Sequence, residues 1–193
     1  MNTAEAVSIE NDNKPGNTAI CMWDNTSFDV FDPFTWVFDI DVIGKSLSNI
    51  CRFGGHVNFY SVAEHSVRVA DYLRRQGGST RLVLMGLLHD ATEAFIGDIT
   101  RPLKHTLQFK VDGESVMDFE DSLNISIMNA FDLFIDASFE EDWAQVKIAD
   151  YEVYKMERSE RPSPGGSLPP AQALDMFQGM FHSLWRDFQM KVG

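Results

Sequence analysis

A chain of 193 residues with 44% hydrophobic content is sized for one domain whose core closes without disulfide or metal staples. Its formal net charge of −13 excludes polymeric nucleic acid as a partner, because gripping a phosphate backbone relies on clustered Lys and Arg. A small anionic ligand stays open, since a divalent cation with one or two basic side chains reverses the local potential inside an acidic protein.

The two cysteines, Cys21 and Cys51, stand in no metal-ligand spacing and are expected to stay reduced. There is no apolar run of the roughly 20 residues that span a bilayer, and the first residues, MNTAEAVSIENDNKPGN, lack a signal-peptide layout. The expectation is a cytoplasmic protein without a membrane partner, in the host cytoplasm if the chain is phage-encoded.

Residues 1–18 are polar and Asn-rich with no hydrophobic period, and are read as a flexible arm. From Phe28 to Phe38 aromatics alternate with Asp around Pro33, which suits a short strand pair or an extended lid. After Asp39 or Asp41 as N-cap, Ile43, Leu47 and Ile50 recur at helical spacing, and this helix ends before Gly54-Gly55. Ser61-x-x-Glu64 is a capping box that opens a second helix, with Val62, His65, Val69 and Leu73 on its inner face and Gly77-Gly78 as its stop.

The stretch from Thr80 to Phe95 is apolar nearly all round and predicts one central helix with His89 and Asp90 deep inside it, stopped by Gly97. A helix over about Ser115 to Phe134 carries Val116, Phe119, Leu123, Ile127 and Phe131 as a core stripe. A second capping box, Ser138-x-x-Glu141, opens a helix that aligns Trp143, Val146, Asp150, Val153 and Tyr154. Residues 159–170 form a Pro/Gly/Ser linker. The last helix, 171–193, places Leu174, Phe177, Phe181, Leu184 and Phe188 in register to pack on the body or on another subunit.

Four ionisable groups, His65, His89, Asp90 and Asp150, thus fall on inward faces, where charge without partners costs several kcal/mol. Singly, each has an ordinary reading as a hydrogen-bonded core His, or as an Asp that caps a helix or pairs with Arg. Jointly, two imidazoles and two carboxylates offer four N/O ligands from three helices, a set suited to one divalent ion such as Zn, Co, Mn, Ni or Fe.

The order His65, His89-Asp90, Asp150 resembles the H…HD…D pattern of the HD phosphohydrolase superfamily. The segments LSNICRFGGH, YSVAEHS, LLHDATEAFIGDITRPLK and KIADYEVYKMERSER resemble its branch of bacterial 5′-deoxynucleotidases and phage deoxyadenosine-nucleotide (dATP) phosphohydrolases. The resemblance implies an all-α, compact helical bundle over 19–193 with its metal site between central helices. It implies one transition metal of the Co2+, Zn2+ or Mn2+ class on His65, His89, Asp90 and Asp150, with a further Mg2+ accompanying a triphosphate.

Glu93, three residues after Asp90, falls beside the metal where a carboxylate can orient or deprotonate water. Asp98 matches the family's acid for the departing sugar oxygen, with a turn or N-cap Asp as its ordinary reading. Arg52 and Phe53 match an Arg-aromatic pair in which the guanidinium clamps phosphate and the ring borders the base. Lys104 resembles the cation that reaches outer phosphates, assisted by Arg101. His56 either approaches substrate or hydrogen-bonds backbone.

The expected activity is hydrolysis of a (deoxy)nucleotide at its 5′ phosphate ester, releasing nucleoside and either phosphate or triphosphate, with dATP favoured. Alternatives are a 5′-deoxynucleotidase acting on monophosphates, a nucleotide phosphodiesterase, or an inactive nucleotide-binding module. Alarmone hydrolases typically carry HD-x-x-E-D, and Ala94 follows Glu93 here, which counts against that class. The expected partners are a small-molecule nucleotide and further copies of the chain as a homo-oligomer.

Overall fold

The computed structural model describes residues 19–29, 31–32, 36–108, 115–134 and 137–192. The arm expected over residues 1–18 lies outside the described residues. Ala19–Cys21 (β1) and Ser27–Asp29 (β2) pair antiparallel, with Ile20 opposite Phe28. Asp24 closes their turn by accepting from the Thr26 backbone N–H at 3.0 Å, an Asx-type contact. Of the strand pair expected over Phe28 to Phe38, only Phe28 and Asp29 are strand among the described residues, with their partner Ala19–Cys21 lying before the segment, and the rings of Phe28, Trp36 and Phe38 form a packed layer. Phe28 is 2% exposed and stacks on Trp36 (5.3 Å between centroids) and against Phe95 (4.4 Å), while Trp36 meets Phe119 edge-on.

The remaining regular elements are helices, so the fold is all-α among the described residues. Helix α1 (Ile40–Asn49) is capped by Asp39, whose side chain accepts from the Asp41 N–H, and buries Ile43 and Leu47. Helix α2 (Val62–Arg75) begins at Ser61, which accepts from the Glu64 N–H at 3.1 Å. The capping box is only half made, because the Glu64 carboxylate turns away to accept from the Leu168 N–H at 3.1 Å.

The single helix expected over Thr80 to Phe95 is two. Helix α3 (Thr80–Leu88) ends before His89, and α4 (Glu93–Ile96) follows after four residues of turn. Between them the bonds tighten to i→i−3, from Ala91 to Leu88 and from Glu93 to Asp90, and His89 Nδ1 donates to the Gly86 carbonyl at 2.8 Å. The buried apolar spacing Leu88, Ala91 and Phe95 continues across the break, so periodicity hides it. His89 and Asp90 therefore sit at a helix exit, where local geometry is free to aim both side chains. Gly97, with φ 79°, ends α4 as expected.

Helices α5 (Arg101–Lys104) and α6 (Val116–Ala130) follow, the latter capped by Ser115 and burying Phe119, Leu123 and Ile127. Helix α7 (Phe139–Ser159) starts without the second capping box, because the Ser138 hydroxyl accepts from Arg81 at 2.8 Å instead. The linker read over 159–170 is a strap fixed to the body. Asn58 donates to the Pro162 carbonyl at 2.8 Å, and Gly165 N–H donates to Glu160 at 2.8 Å.

Helix α8 (Pro170–Val192) packs on α1, α2 and α3 through Phe177, Phe181 and Phe188. Its inner face is thus covered by its own chain. Full burial of one such ring contributes about 1.5–3 kcal/mol. Helices α2, α3 and α7 form the centre, and His65, the α3 exit and Asp150 are set on their facing surfaces.

Candidate metal centre and substrate cleft

His65 on α2 and His89 at the exit of α3 are buried, with Nε2 atoms 3.2 Å apart. Asp150 Oδ1 from α7 lies 3.1 Å from His65 Nε2 and 3.7 Å from His89 Nε2. Asp90 Oδ2 lies 3.2 Å from His89 Nε2 and 3.5 Å from His65 Nε2. Three candidate ligand atoms, from His65, His89 and Asp150, therefore face one point, and Asp90 Oδ2 stands beside the two imidazoles.

The hydrogen bonds on the far side of each ring decide what that point demands. The Gly86 carbonyl can only accept, so His89 Nδ1 carries its proton. His65 Nδ1 is 2.6 Å from Glu157 Oε1, and Glu157, raised by burial, is brought below its ordinary carboxylate range by His65, Arg52 and Tyr60. Both Nε2 atoms thus face each other and two carboxylate oxygens, an arrangement that needs a cation at its centre, a proton on His89 in the metal-free protein or a metal ion in its place.

The side chains respond accordingly. Burial opposes charge on His89, yet Asp90 and Asp150 raise it to about 10. Burial likewise opposes charge on Asp90 and Asp150, and the neighbouring imidazoles hold both well below the usual carboxylate range. Ligands about 2.0–2.2 Å from one ion stand about 3.3–3.6 Å apart in tetrahedral geometry. The spacings among His65, His89 and Asp150, 3.1, 3.2 and 3.7 Å, are close to this, so these three fit a divalent ion; among the described residues their ligand atoms all lie within 4.8 Å of one another, a group that leaves out Asp90.

This point lies at the floor of a cleft of about 700 Å3 walled by the loop after α4, by α5, α6 and α7, and by Phe53. Arg52 reaches in with its Nη1 3.1 Å from Asp90 and its Nη2 3.7 Å from Glu157. Its guanidinium is thus anchored beside the ligand set rather than free in solvent. Phe53 takes a positive φ of 59°, uncommon for a bulky residue, and stacks on Tyr154 at 6.1 Å with Arg161 4.9 Å from its ring.

Glu93 is buried in the cleft wall with Oε2 unpaired. Burial first, then Asp90 and Asp98, push its carboxyl well above the ordinary value. Asp98 is also raised, chiefly by burial, with Arg52 opposing. Two carboxyls that resist ionisation beside a cation-demanding point are suited to proton transfer.

Lys104 and Arg101 line the cleft, and Lys104 is ion-paired to Glu120 at 2.7 Å. His56 is exposed at the exit of the Phe53–Gly55 turn and does not line the cleft; its carbonyl accepts from Arg161 at 3.3 Å. Phe28, Trp36 and Phe38 belong to the core layer over α4 and α6, so the described part of that segment does not border the cleft either.

Several participants carry only faint signals in the sequence. Glu157, fully buried, accepts from Tyr60 Oη at 2.5 Å as well as contacting His65; its signal is the i, i+7 spacing from Asp150. Met117, Glu120, Asp121 and Asn124 on α6 line the cleft from the flank of its core stripe. Lys147 and Tyr151 flank Asp150 on α7, with Lys147 Nζ 4.7 Å from the Trp143 ring.

Residues 62–129 match the family model of the HD domain, a segment holding His65, His89 and Asp90 and ending before Asp150. Over 69 residues, 35% of this chain, it is 46% identical to the uncharacterized protein YfdR of Escherichia coli, covering 36% of that protein. Over 117 residues, 58% of the chain, it is 31% identical to an uncharacterized protein of Rhodobacter capsulatus, covering 57% of it. The chain thus spans less than two thirds of the length of either relative. Among the described residues no helix is long and apolar enough to cross a membrane.

Proposed function

We propose that this HD-domain chain is a metal-dependent phosphohydrolase that cleaves the 5′ phosphate ester of (deoxy)nucleotides. The observation that carries the reading is the convergence of His65, His89, Asp90 and Asp150 at the floor of a cleft that also presents Arg52 and an unpaired, buried Glu93. A divalent ion held there supplies Lewis acidity to the phosphoryl oxygen and makes water more acidic.

The chain's own residues supply the rest. Arg52 bears charge on the phosphoryl group under attack, and its anchoring to Asp90 and Glu157 limits the reorganisation it must undergo. Glu93 takes a proton from the attacking water as the new O–P bond forms. Asp98, whose carboxyl is raised above its ordinary value chiefly by burial, gives a proton to the 5′ oxygen as the old P–O bond breaks. Phe53 and Tyr154, stacked at the mouth, offer a flat apolar surface to the nucleoside.

Water is consumed, and nucleoside plus a phosphate species is released. The resemblance to phage deoxyadenosine-nucleotide enzymes favours dATP, and the resemblance to 5′-deoxynucleotidases favours monophosphates; the ester under attack is the same. The test is product analysis over deoxy- and ribonucleoside mono-, di- and triphosphates with Mn2+, Co2+ or Mg2+. Nucleoside release from at least one deoxynucleotide is expected. Tight nucleotide binding without any product would favour an inactive module, and cleavage confined to phosphodiesters would replace the reading.

A further inference from the structure

Lys104 is the cation that the family resemblance assigns to the outer phosphates of a nucleotide, and the fold gives it another partner. Its Nζ lies 2.7 Å from Glu120 Oε1 on α6, with the two side chains only 16% and 20% exposed. The same oxygen accepts from Thr92 Oγ1 at 3.3 Å, and Thr92 is buried in the turn that follows the His89-Asp90 pair. Glu120 is thus held from two sides on the cleft wall, beside the turn that carries two of the candidate ligands.

The electrostatic consequence lies in the balance of signs at that end of the cleft. The Lys104–Glu120 pair is neutral, and the lining also carries Asp121 against Arg101 and Lys147. A single phosphoryl group is served by Arg52 and the cation bound by the ligand set. The β- and γ-phosphates of a triphosphate would have to lie beside the Glu120 carboxylate or separate it from Lys104, in a partly buried setting where like charges are weakly screened.

We propose that Glu120 is a specificity-determining residue that restricts the cleft to substrates with one phosphoryl group, by neutralising Lys104 and repelling any phosphate beyond the first. This rests on the reading of the site as a nucleotide phosphohydrolase, and within it names the substrate class as nucleoside monophosphates. The dATP preference suggested by the resemblance is thereby opposed by a residue on α6 that the motifs do not include.

The test compares wild type, Glu120→Gln and Glu120→Gln/Lys104→Ala, each metal-loaded, on deoxyadenosine mono- and triphosphate. Wild type should favour the monophosphate. Glu120→Gln should raise the triphosphate-to-monophosphate ratio of kcat/KM by about tenfold or more, the scale of one charge-assisted hydrogen bond, and the double variant should return the ratio toward wild type. Calorimetric binding of inorganic tripolyphosphate and orthophosphate, in Mg2+ in excess over the ligand, gives a second readout that needs no turnover. There Glu120→Gln should tighten tripolyphosphate about tenfold relative to orthophosphate.

An unchanged or lowered ratio in both assays would overturn the inference and make Glu120 a partner that positions Lys104 for outer phosphates. If no variant hydrolysed any nucleotide while tripolyphosphate binding shifted as expected, the catalytic reading would fail and the role of Glu120 would stand.

Discussion

Replacing Glu157 with Gln probes the support of the metal centre without touching a ligand. The side chain is fully buried, and its Oε1 accepts from both Tyr60 Oη (2.5 Å) and His65 Nδ1 (2.6 Å). Gln keeps the volume and one acceptor oxygen, so both contacts survive as neutral hydrogen bonds. What is lost is the charge assistance, about 1 kcal/mol for each of two bonds, or about 2 kcal/mol in all. His65 becomes a weaker donor of its Nε2 lone pair, and the carboxamide N–H2 that replaces Oε2 faces Arg52 Nη2, 3.7 Å away, donor to donor.

The metal affinity should fall about 10–100-fold, the range expected for loss of an outer partner of a ligating His. Competition against a chromophoric chelator with Zn2+ or Mn2+ measures this directly, and far-ultraviolet circular dichroism checks that the helices persist. Glu157→Asp should fall between the two. A folded Glu157→Gln protein with metal affinity within threefold of wild type would refute the claim that the Glu157 carboxylate strengthens His65 as a ligand.

Glu93→Gln should abolish most turnover, by about 10²–10⁴, while raising the melting temperature of the metal-free protein by a few degrees. The sign follows from the raised carboxyl: the folded state holds the Glu93 proton more tightly than the unfolded chain, so wild type loses stability as pH rises through the folded pKa, and Gln does not. The melting-temperature gain should therefore grow from acid to neutral pH; a gain independent of pH would remove the explanation. Phe53→Ala should raise KM for the preferred nucleotide and narrow the differences among bases in steady-state assays, because it removes the ring stacked on Tyr154; an unchanged base preference would move specificity away from the mouth. Gly165→Ala should cost about 2–3 kcal/mol, or roughly 5–10 °C by calorimetry, since φ is +62° and a Cβ would stand 2.6 Å from Tyr60 Cε2 and closer still to Glu64 Oε1. An unaltered transition would show that the strap is not held against α2.

The helices are legible in the sequence where an amphipathic stripe and a cap coincide, as at Asp39, Ser61 and Ser115. Sequence and structure part where a side chain takes a tertiary partner over a local one, or turns back on its own helix. Ser138 pairs with Arg81, Glu64 with Leu168, and the Gly86 carbonyl with the His89 ring at the point where the central helix breaks. At the site, His65, His89, Asp90 and Asp150 stand out because ionisable groups on apolar faces need compensation. Glu157 stands out less, because a Glu among KMERSER looks solvated until its i+7 relation to Asp150 is weighed. The α6 wall is hidden for a simpler reason: its polar face reads as solvent-exposed, and only the fold of α5 and α7 around it turns that face into a cleft lining.

The central claim is most directly tested by titrating metal back into chelated protein while following phosphate and nucleoside release from a deoxynucleoside monophosphate. Metal-free protein should show no turnover, and activity should rise to a plateau near one equivalent of Mn2+, Co2+ or Zn2+ per chain, with Asp150→Asn unable to reach it. Full turnover in protein shown by elemental analysis to be free of metal would contradict the claim.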